Sequence, residues 1–165
     1  MISRINIVLS ICFMALIMPF SVQADDDNSH KIYELPAHKI ASYIKEVKGQ
    51  RRIIIIYASW CPYCIKKMPH IMDLERIKEG SVIAISVDEN KSAFARYIKK
   101  FDEIPFRIIL NKGSEWKLAK SLKKFGVKPW EGVPEIILLD ENNKAMGQGN
   151  YELDYVAEFL FGKKT

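Results

Sequence analysis

The chain has 165 residues, 48% of them hydrophobic, which is enough for one domain with a hydrophobic core. Its 25 basic and 20 acidic side chains give a formal net charge of +5, but the lysines are spread along the sequence. Without a basic segment interleaved with aromatic platforms, a nucleic-acid-binding protein is not expected. Two of the three cysteines are only three residues apart, which excludes a framework of structural disulfides.

Residues 1–24 have the pattern of a secretory signal peptide. Arg4 and the amino terminus carry the positive charge, an apolar run follows at 7–20, and small residues at 22–24 suit a cleavage site after Ala24. The apolar run is shorter than the ~20 residues that a membrane-spanning helix needs. We therefore expect cleavage after Ala24. The alternative is an uncleaved segment that tethers the domain to the outer face of the membrane.

Residues 25–165 are expected to form a single domain in the periplasm. Cys12 lies in the apolar run and is removed with it, so the domain keeps only Cys61 and Cys64. All 20 acidic residues and 24 of the 25 basic residues lie after Ala24, which leaves a net charge of about +4. Export places the cysteine pair in a compartment where disulfides persist.

Helices and strands alternate along this domain. The four isoleucines at 53–56 favour a central strand buried on both faces, and the polar turn at 140–143 is too short for anything but an antiparallel hairpin. The pattern predicts an α/β domain with a mixed central sheet and helices on both faces. The predicted helices are 37–47, 62–77, 92–101, 115–125 and 153–161, and the predicted strands are 52–58, 82–87, 106–110, 135–139 and 144–149.

The two cysteines lie where a buried strand gives way to a helix. The helix begins at Pro62, a residue favoured at the first helical position, so Cys61 lies at its amino end. Unpaired backbone N–H groups and the helix dipole stabilise a thiolate there, and the thiolate is the species that attacks disulfides. Cys64 is almost one turn further on and deeper. We expect Cys61 to attack the partner and Cys64 to resolve the mixed disulfide.

The alternatives for this pair are two ordinary buried cysteines or half of a zinc site. A zinc site needs three or four ligands. The histidines are only His30, His38 and His70, and the sequence has no second cysteine pair. We therefore expect no metal and no cofactor, only a redox-active disulfide between Cys61 and Cys64.

Two motifs resemble those of the thioredoxin superfamily. Residues 57–64, Tyr-Ala-Ser-Trp-Cys-Pro-Tyr-Cys, are similar to its active-site segment, and residues 132–134, Gly-Val-Pro, are similar to its cis-proline loop. The resemblance extends over nearly all of 25–165 and implies a thioredoxin-like fold with thiol–disulfide oxidoreductase activity. An extra strand and helix at 106–125 make the chain similar to the exported TlpA, ResA and DsbE group, and residues 132–140 look most like its cytochrome c maturation reductases.

The resemblance also implies a substrate-binding surface around the cysteines. Val133 is expected to present its backbone to an extended substrate strand, and the exposed Tyr63 to tune potential and contacts. Trp130 is expected either to form an apolar lip that contacts the partner chain or simply to pack. The residues of this expected surface are Trp60, Pro62, Tyr63, Trp130, Val133 and Pro134.

The proton acceptors that the superfamily uses for its resolving cysteine are missing here. Plain thioredoxins keep a buried aspartate six residues before the first cysteine, where this chain has Ile55. Many members of the exported group carry a glutamate three residues after the second cysteine, where this chain has Lys67. Glu135, directly after Pro134, is the best remaining candidate for the catalytic base. Its alternative is a strand-end glutamate that faces water.

Two enzymatic functions and one of another class stay open. The first is a periplasmic reductase of the cytochrome c maturation type, which receives electrons from a membrane or periplasmic thiol–disulfide partner. The second is a thiol oxidase or general exchange enzyme, since Pro62 and Tyr63 also match the glutaredoxin motif. The third is a redox-inactive binding or chaperone module, against which the intact cysteine pair argues. Protein thiols and disulfides are the expected substrates, and a monomer is expected. An isomerase of this superfamily would need a dimerisation arm, for which residues 25–50 look too short.

Overall fold

The computed structural model describes residues 30–162, so the predicted signal peptide at 1–24 lies outside the described residues. No helix between residues 30 and 162 is both long and apolar enough to cross a membrane. The elements in chain order are β1 (Ile32–Leu35), α1 (Ala37–Glu46), β2 (Arg52–Tyr57), α2 (Pro62–Ile77), β3 (Val82–Ser86), α3 (Lys91–Ile98), β4 (Ile108–Asn111), α4 (Glu115–Leu122), a 3-10 turn (Lys123–Phe125), β5 (Glu135–Leu139), β6 (Ala145–Gly149) and α5 (Leu153–Phe161).

The six strands form one mixed sheet in the order β1-β4-β3-β2-β5-β6. β1, β4, β3 and β2 are parallel, whereas β5 is antiparallel to β2 and β6 is antiparallel to β5. The mixed sheet and the antiparallel hairpin are confirmed. The additional strand, β4, lies between β3 and β1 and therefore leaves the central position of β2 unchanged.

The helices cover both faces of the sheet, as expected. Right-handed crossovers place α2 and α3 on one face, because both follow steps toward the β1 edge, and α1 on the opposite face. In agreement, α1 contacts α4 and α2 contacts α5. The ring of Phe94 in α3 lies 6.1 Å from that of Tyr57 at the end of β2.

The core is centred on β2, whose six residues are all buried. The four isoleucines at 53–56 are 0% exposed and pair with β3 on one side and β5 on the other. This burial fixes the position of β2, and the turn that follows it leads to Cys61 and then, in α2, to Cys64.

A buried arginine at the start of β2 joins α1 to the β5–β6 turn. The Nη2 of Arg52 donates to the carbonyl of Ile44 at 3.1 Å, and also to the carbonyl of Val47 and the side-chain oxygen of Asn143. Asn143, with φ +68°, donates through Nδ2 to the same two carbonyls, each at 3.0 Å. No carboxylate pairs with Arg52 among residues 30–162, so Asn143 supplies the side-chain acceptor that the buried cation has.

We expect Asn143→Ala to lower the free energy of unfolding by about 2–4 kcal/mol in urea titrations. The substitution removes the three hydrogen bonds that Asn143 makes with Arg52 and with the two helix-end carbonyls, at about 0.5–1.5 kcal/mol for each bond, while Arg52 still donates to both carbonyls. It also puts alanine in the left-handed region. Asn142→Ala, in the same turn but exposed, is the matched control and should change stability by less than about 0.5 kcal/mol. Equal stabilities of the two variants would contradict the role of Asn143.

Candidate active site

Cys61 is the residue that caps the amino end of α2. Its Sγ accepts the backbone N–H of Cys64 at 3.2 Å, and Pro62 occupies the first helical position. Both cysteines are free thiols, with Cys61 3% and Cys64 0% exposed. The structure thus brings the two sulfurs together at a helix end that favours negative charge on the outer one.

Cys64 lies beneath Cys61 in an environment that disfavours its ionisation. Burial raises the pKa of the Cys64 thiol to about 12, and its hydrogen bond with Cys61 and the charge of Cys61 act in the same direction. A backbone hydrogen bond involving Ala58 lowers the pKa of this thiol but does not outweigh burial. At neutral pH Cys64 therefore remains protonated until something removes its proton.

The segment before β5 passes directly beside Cys61. The Val133–Pro134 peptide bond is cis, and the Cys61 S–H donates to the Val133 carbonyl at 3.4 Å. Pro134 is buried and Val133 is half-buried. The backbone of Val133 is thus within reach of any chain that bonds to Cys61.

Exposed apolar side chains surround the buried Cys61. Trp60 is 67% exposed, Tyr63 is 71% exposed and Ile65 is 42% exposed, and Pro62 between them is exposed as well. Exposed apolar groups gathered at one place mark surfaces that contact other molecules. The cysteine is thus reached through an apolar rim.

Glu135, the first residue of β5, is half-buried. Its Oε1 accepts from the Gln148 side chain at 3.0 Å, and burial raises the pKa of this carboxyl group. Gln148 also exchanges hydrogen bonds of 2.7 and 3.0 Å with the backbone of Lys128. In the described part of the chain Glu135 has no hydrogen bond to Cys64, so the structure does not join the two directly.

Trp130 lies on the side of the cis-proline segment that faces α4. Its indole N–H donates to Oε2 of Glu115 at 3.1 Å, and its ring is half-buried. It packs against the core and also lines a cavity against α4.

Residues 30–152 match the sequence model of the Redoxin family. The chain belongs to the redoxin family. Among curated relatives, the thiol-disulfide oxidoreductase ResA of Bacillus thuringiensis subsp. konkukian is 29% identical over 122 residues. That match covers 71% of this chain and 65% of the relative, so the redoxin chain spans just under two thirds of the relative's length.

Solved structures confirm the thioredoxin-like fold of this redoxin. The thioredoxin domain of a thiol-disulfide oxidoreductase from Bacteroides vulgatus superposes with a TM-score of 0.55 at 18% identity, covering 72% of this chain and 83% of that chain. A thiol:disulfide interchange protein from Chlorobium tepidum superposes with a TM-score of 0.56 at 17% identity, covering 73% and 81%. At these identities the likeness extends to the fold alone.

Sequence reasoning missed a buried aspartate beside the redox turn of this redoxin. Asp88, 5% exposed and just beyond β3, accepts from the backbone N–H of Ser59 at 2.8 Å and from its hydroxyl at 2.5 Å. It also accepts from the hydroxyl of Ser86 at 2.7 Å. Asp88 therefore ties the turn before Cys61 to β3. The signal was available, because an acid directly after one parallel strand lies at the same sheet edge as the residues after the next.

Lys67 stands at the position where many members of the exported group carry a glutamate, and its side chain contacts the segment before α5. Its Nζ donates to the backbone carbonyl of Tyr151 at 2.8 Å, which joins α2 to the segment before α5.

Residues 30–162 contain no group of three or more histidine, cysteine or acidic side chains that could hold a metal ion.

Proposed function

We propose that this redoxin is an exported thiol–disulfide oxidoreductase that exchanges the Cys61–Cys64 dithiol and disulfide with protein substrates. The observation that carries the proposal is the Cys61 sulfur at the amino end of α2, in contact with both the Cys64 N–H and the Val133 carbonyl. The name of the ResA relative supports the same chemistry. A purified protein whose cysteines do not exchange with insulin disulfides is incompatible with this proposal.

The reaction begins on the outer sulfur. The Cys61 thiolate attacks one sulfur of a substrate disulfide, forms a mixed disulfide with it and expels the other substrate sulfur as a thiolate, which takes up a proton. Cys64 then loses its proton and attacks the Cys61 sulfur. This step releases the second substrate sulfur and closes the Cys61–Cys64 disulfide. Two electrons from a thiol–disulfide partner return the pair to the dithiol.

The surroundings of Cys61 can hold an extended substrate segment. We assign backbone hydrogen bonding to Val133, next to Pro134, because its carbonyl is already 3.4 Å from the reacting sulfur. Trp60, Pro62 and Tyr63 supply exposed apolar contact on the other side. Contacts of this kind are tolerant of sequence, which suits an enzyme acting on cysteines in protein chains.

The direction of electron flow separates the two enzymatic candidates. We favour a reductase of the cytochrome c maturation type, supplied by a membrane or periplasmic redox partner, because residues 132–140 resemble the cytochrome c maturation reductases of the TlpA, ResA and DsbE group. Equilibration with glutathione buffers tests this choice. A potential near that of thioredoxin, about −270 mV, supports the reductase, whereas one near that of DsbA, about −120 mV, supports the thiol oxidase.

We place the enzyme in the periplasm as a monomer, on the basis of the signal pattern at 1–24 and the sequence resemblance. Amino-terminal sequencing of the exported protein should begin at Asp25, whereas a membrane fraction that starts at Met1 supports the tethered form. Light scattering of the purified protein tests the monomer.

We also propose that Glu135 accepts the proton that Cys64 loses, through a bridging water, and we expect Glu135→Gln to slow resolution of the mixed disulfide by about 10²-fold. The base must be ionised to act. Since burial raises the pKa of Glu135 above its ordinary value, the resolution rate should rise with pH through that raised pKa. Stopped-flow fluorescence of Trp60, next to Cys61, measures this step.

Glu131→Gln is the matched control, since Glu131 is an exposed acid in the same segment. It should leave both the rate and its pH profile unchanged. An unchanged pH profile in Glu135→Gln would remove Glu135 from the mechanism.

A further inference from the structure

A cavity of about 730 Å³ lies between α4 and the segment that leads to the cis-proline. Its apolar walls include two tryptophans, Trp116 from α4 and Trp130 from the segment. The hydrogen bond from Trp130 to Glu115 holds one of these rings in place. Trp116 is 67% exposed, so the second ring stands at the mouth of the cavity.

The rim of this cavity is positively charged. Lys120, Lys123 and Lys128 line it together with one acid, Glu115, whose Oε2 already accepts the indole N–H of Trp130. The Nζ of Lys120 lies 5.0 Å from the centre of the Trp116 ring. None of the three lysines forms an ion pair with a carboxylate in residues 30–162.

A second hollow, of about 510 Å³, adjoins the first on the other side of Trp116 and is lined by Lys112 and Lys117 as well. The fold therefore gathers five lysines around this tryptophan. The lysines are spread along the sequence and these five are all exposed, but the fold brings them together around Trp116. Lysines that are distant in the sequence become neighbours because α4 packs against the loops at its two ends.

We propose that this cavity, the tryptophan cavity, binds an acidic segment of the partner protein. An apolar or aromatic side chain of that segment enters between Trp116 and Trp130, and its carboxylates face the lysine rim. The apolar walls call for a buried side chain, and the unpaired lysines call for negative charge. A nucleic acid could supply the negative charge through its phosphates. Its phosphate backbone would not fill the apolar space between the two tryptophans.

The tryptophan cavity lies close to the redox turn along the chain. Trp130 precedes Val133 by three residues, and the carbonyl of Val133 is 3.4 Å from the Cys61 sulfur. Three residues span at most about 11 Å, so an acidic segment within roughly five residues of a substrate cysteine can reach both places. This link to the substrate rests on the proposed function, whereas binding of the acidic segment does not.

Fluorescence anisotropy with labelled peptides tests the proposal on the full protein. The probe peptide carries a phenylalanine between aspartates and glutamates, with serine in place of cysteine so that no disulfide forms. We expect the triple variant K120E/K123E/K128E to weaken its binding at least about tenfold, since each exposed ion pair contributes modestly and three are reversed together. Trp116→Ala should weaken it similarly. The charge-matched control K48E/K99E/K100E changes three exposed lysines elsewhere and should bind as the unmodified protein does.

Three results would overturn the proposal. They are unchanged affinity in both cavity variants, equal binding of a peptide with lysines in place of the acids, and tighter binding of a single-stranded oligonucleotide than of the acidic peptide. Should the triple variant fail to fold, Trp116→Ala alone decides. Reduction of a small aromatic disulfide reports the redox site separately, so failure of the unmodified protein to bind the peptide, with intact small-disulfide reduction, contradicts the docking site and leaves the proposed function standing.

Discussion

Cys61→Ser is expected to reduce insulin disulfides at least about 10³-fold more slowly than the unmodified protein, because the remaining sulfur is a poor substitute. Burial raises the pKa of Cys64 to about 12, and the hydrogen bond to Cys61 and the charge of Cys61 act in the same direction, so Cys64 stays protonated at pH 7. Cys64 is also 0% exposed, which closes it to a protein disulfide. Insulin turbidity in the presence of dithiothreitol, corrected for the uncatalysed rate, measures the loss.

Alkylation with iodoacetamide at pH 7 provides the control for this assignment. Mass mapping of the unmodified protein should find the label on Cys61, and the Cys61→Ser protein should remain unlabelled while folded. Insulin reduction by Cys61→Ser at more than a tenth of the normal rate would show that another group attacks.

Cys64→Ser should accumulate mixed disulfides on Cys61. The serine hydroxyl cannot attack the mixed disulfide, so the first half of the reaction proceeds and the second stops. Non-reducing gels should show covalent complexes that dithiothreitol separates by reducing the mixed disulfide. Mass spectrometry should map that disulfide to Cys61. The identity of the partners captured by this variant in cells will distinguish a cytochrome c maturation reductase, which should capture apocytochrome c, from a general exchange enzyme.

The reciprocal variant is the control for trapping. Cys61→Ser should capture no partner through Cys64, since this one remaining cysteine of residues 30–162 is buried. Complexes on Cys64 in that variant would reverse the roles of the two cysteines, even with the fold and the family unchanged.

The parts of the fold that could be predicted from the sequence depend on local pattern. Four isoleucines in a row are compatible with a strand covered on both faces, and β2 is buried throughout. Helix α2 occupies Pro62–Ile77 as expected, since proline starts it and the apolar spacing continues through Pro69. The hairpin of β5 and β6 follows from a connection too short for a crossover.

The parts that could not be predicted depend on neighbours far apart in the sequence. β1 is four half-buried and exposed residues at an edge of the sheet, with no alternation to reveal it, and only pairing with β4 makes it a strand. The helix predicted at 115–125 ends as a 3-10 turn before Gly126, whose φ of +87° closes it.

The candidate site divides in the same way. The sequence motifs led to the two cysteines and to Val133 and Pro134, because these residues lie in two short segments with recognisable order. Asp88 escaped although its position directly after a strand could have been read from the sequence. The lysine-rimmed tryptophan cavity escaped because it arises only when separate elements pack together. Nor does sequence reveal whether Glu135 reaches Cys64, since that depends on the side-chain direction and on Gln148.

The position of β4 separates two tasks of the molecule. Strand β4 and helix α4 belong to the extra segment at 106–125, which supplies Trp116, Lys120 and Lys123, whereas both cysteines come from the β2–α2 unit at the centre of the sheet. With the functions proposed above, substitutions in the extra segment should alter which protein segment the tryptophan cavity binds and leave thiol–disulfide exchange at Cys61 unchanged.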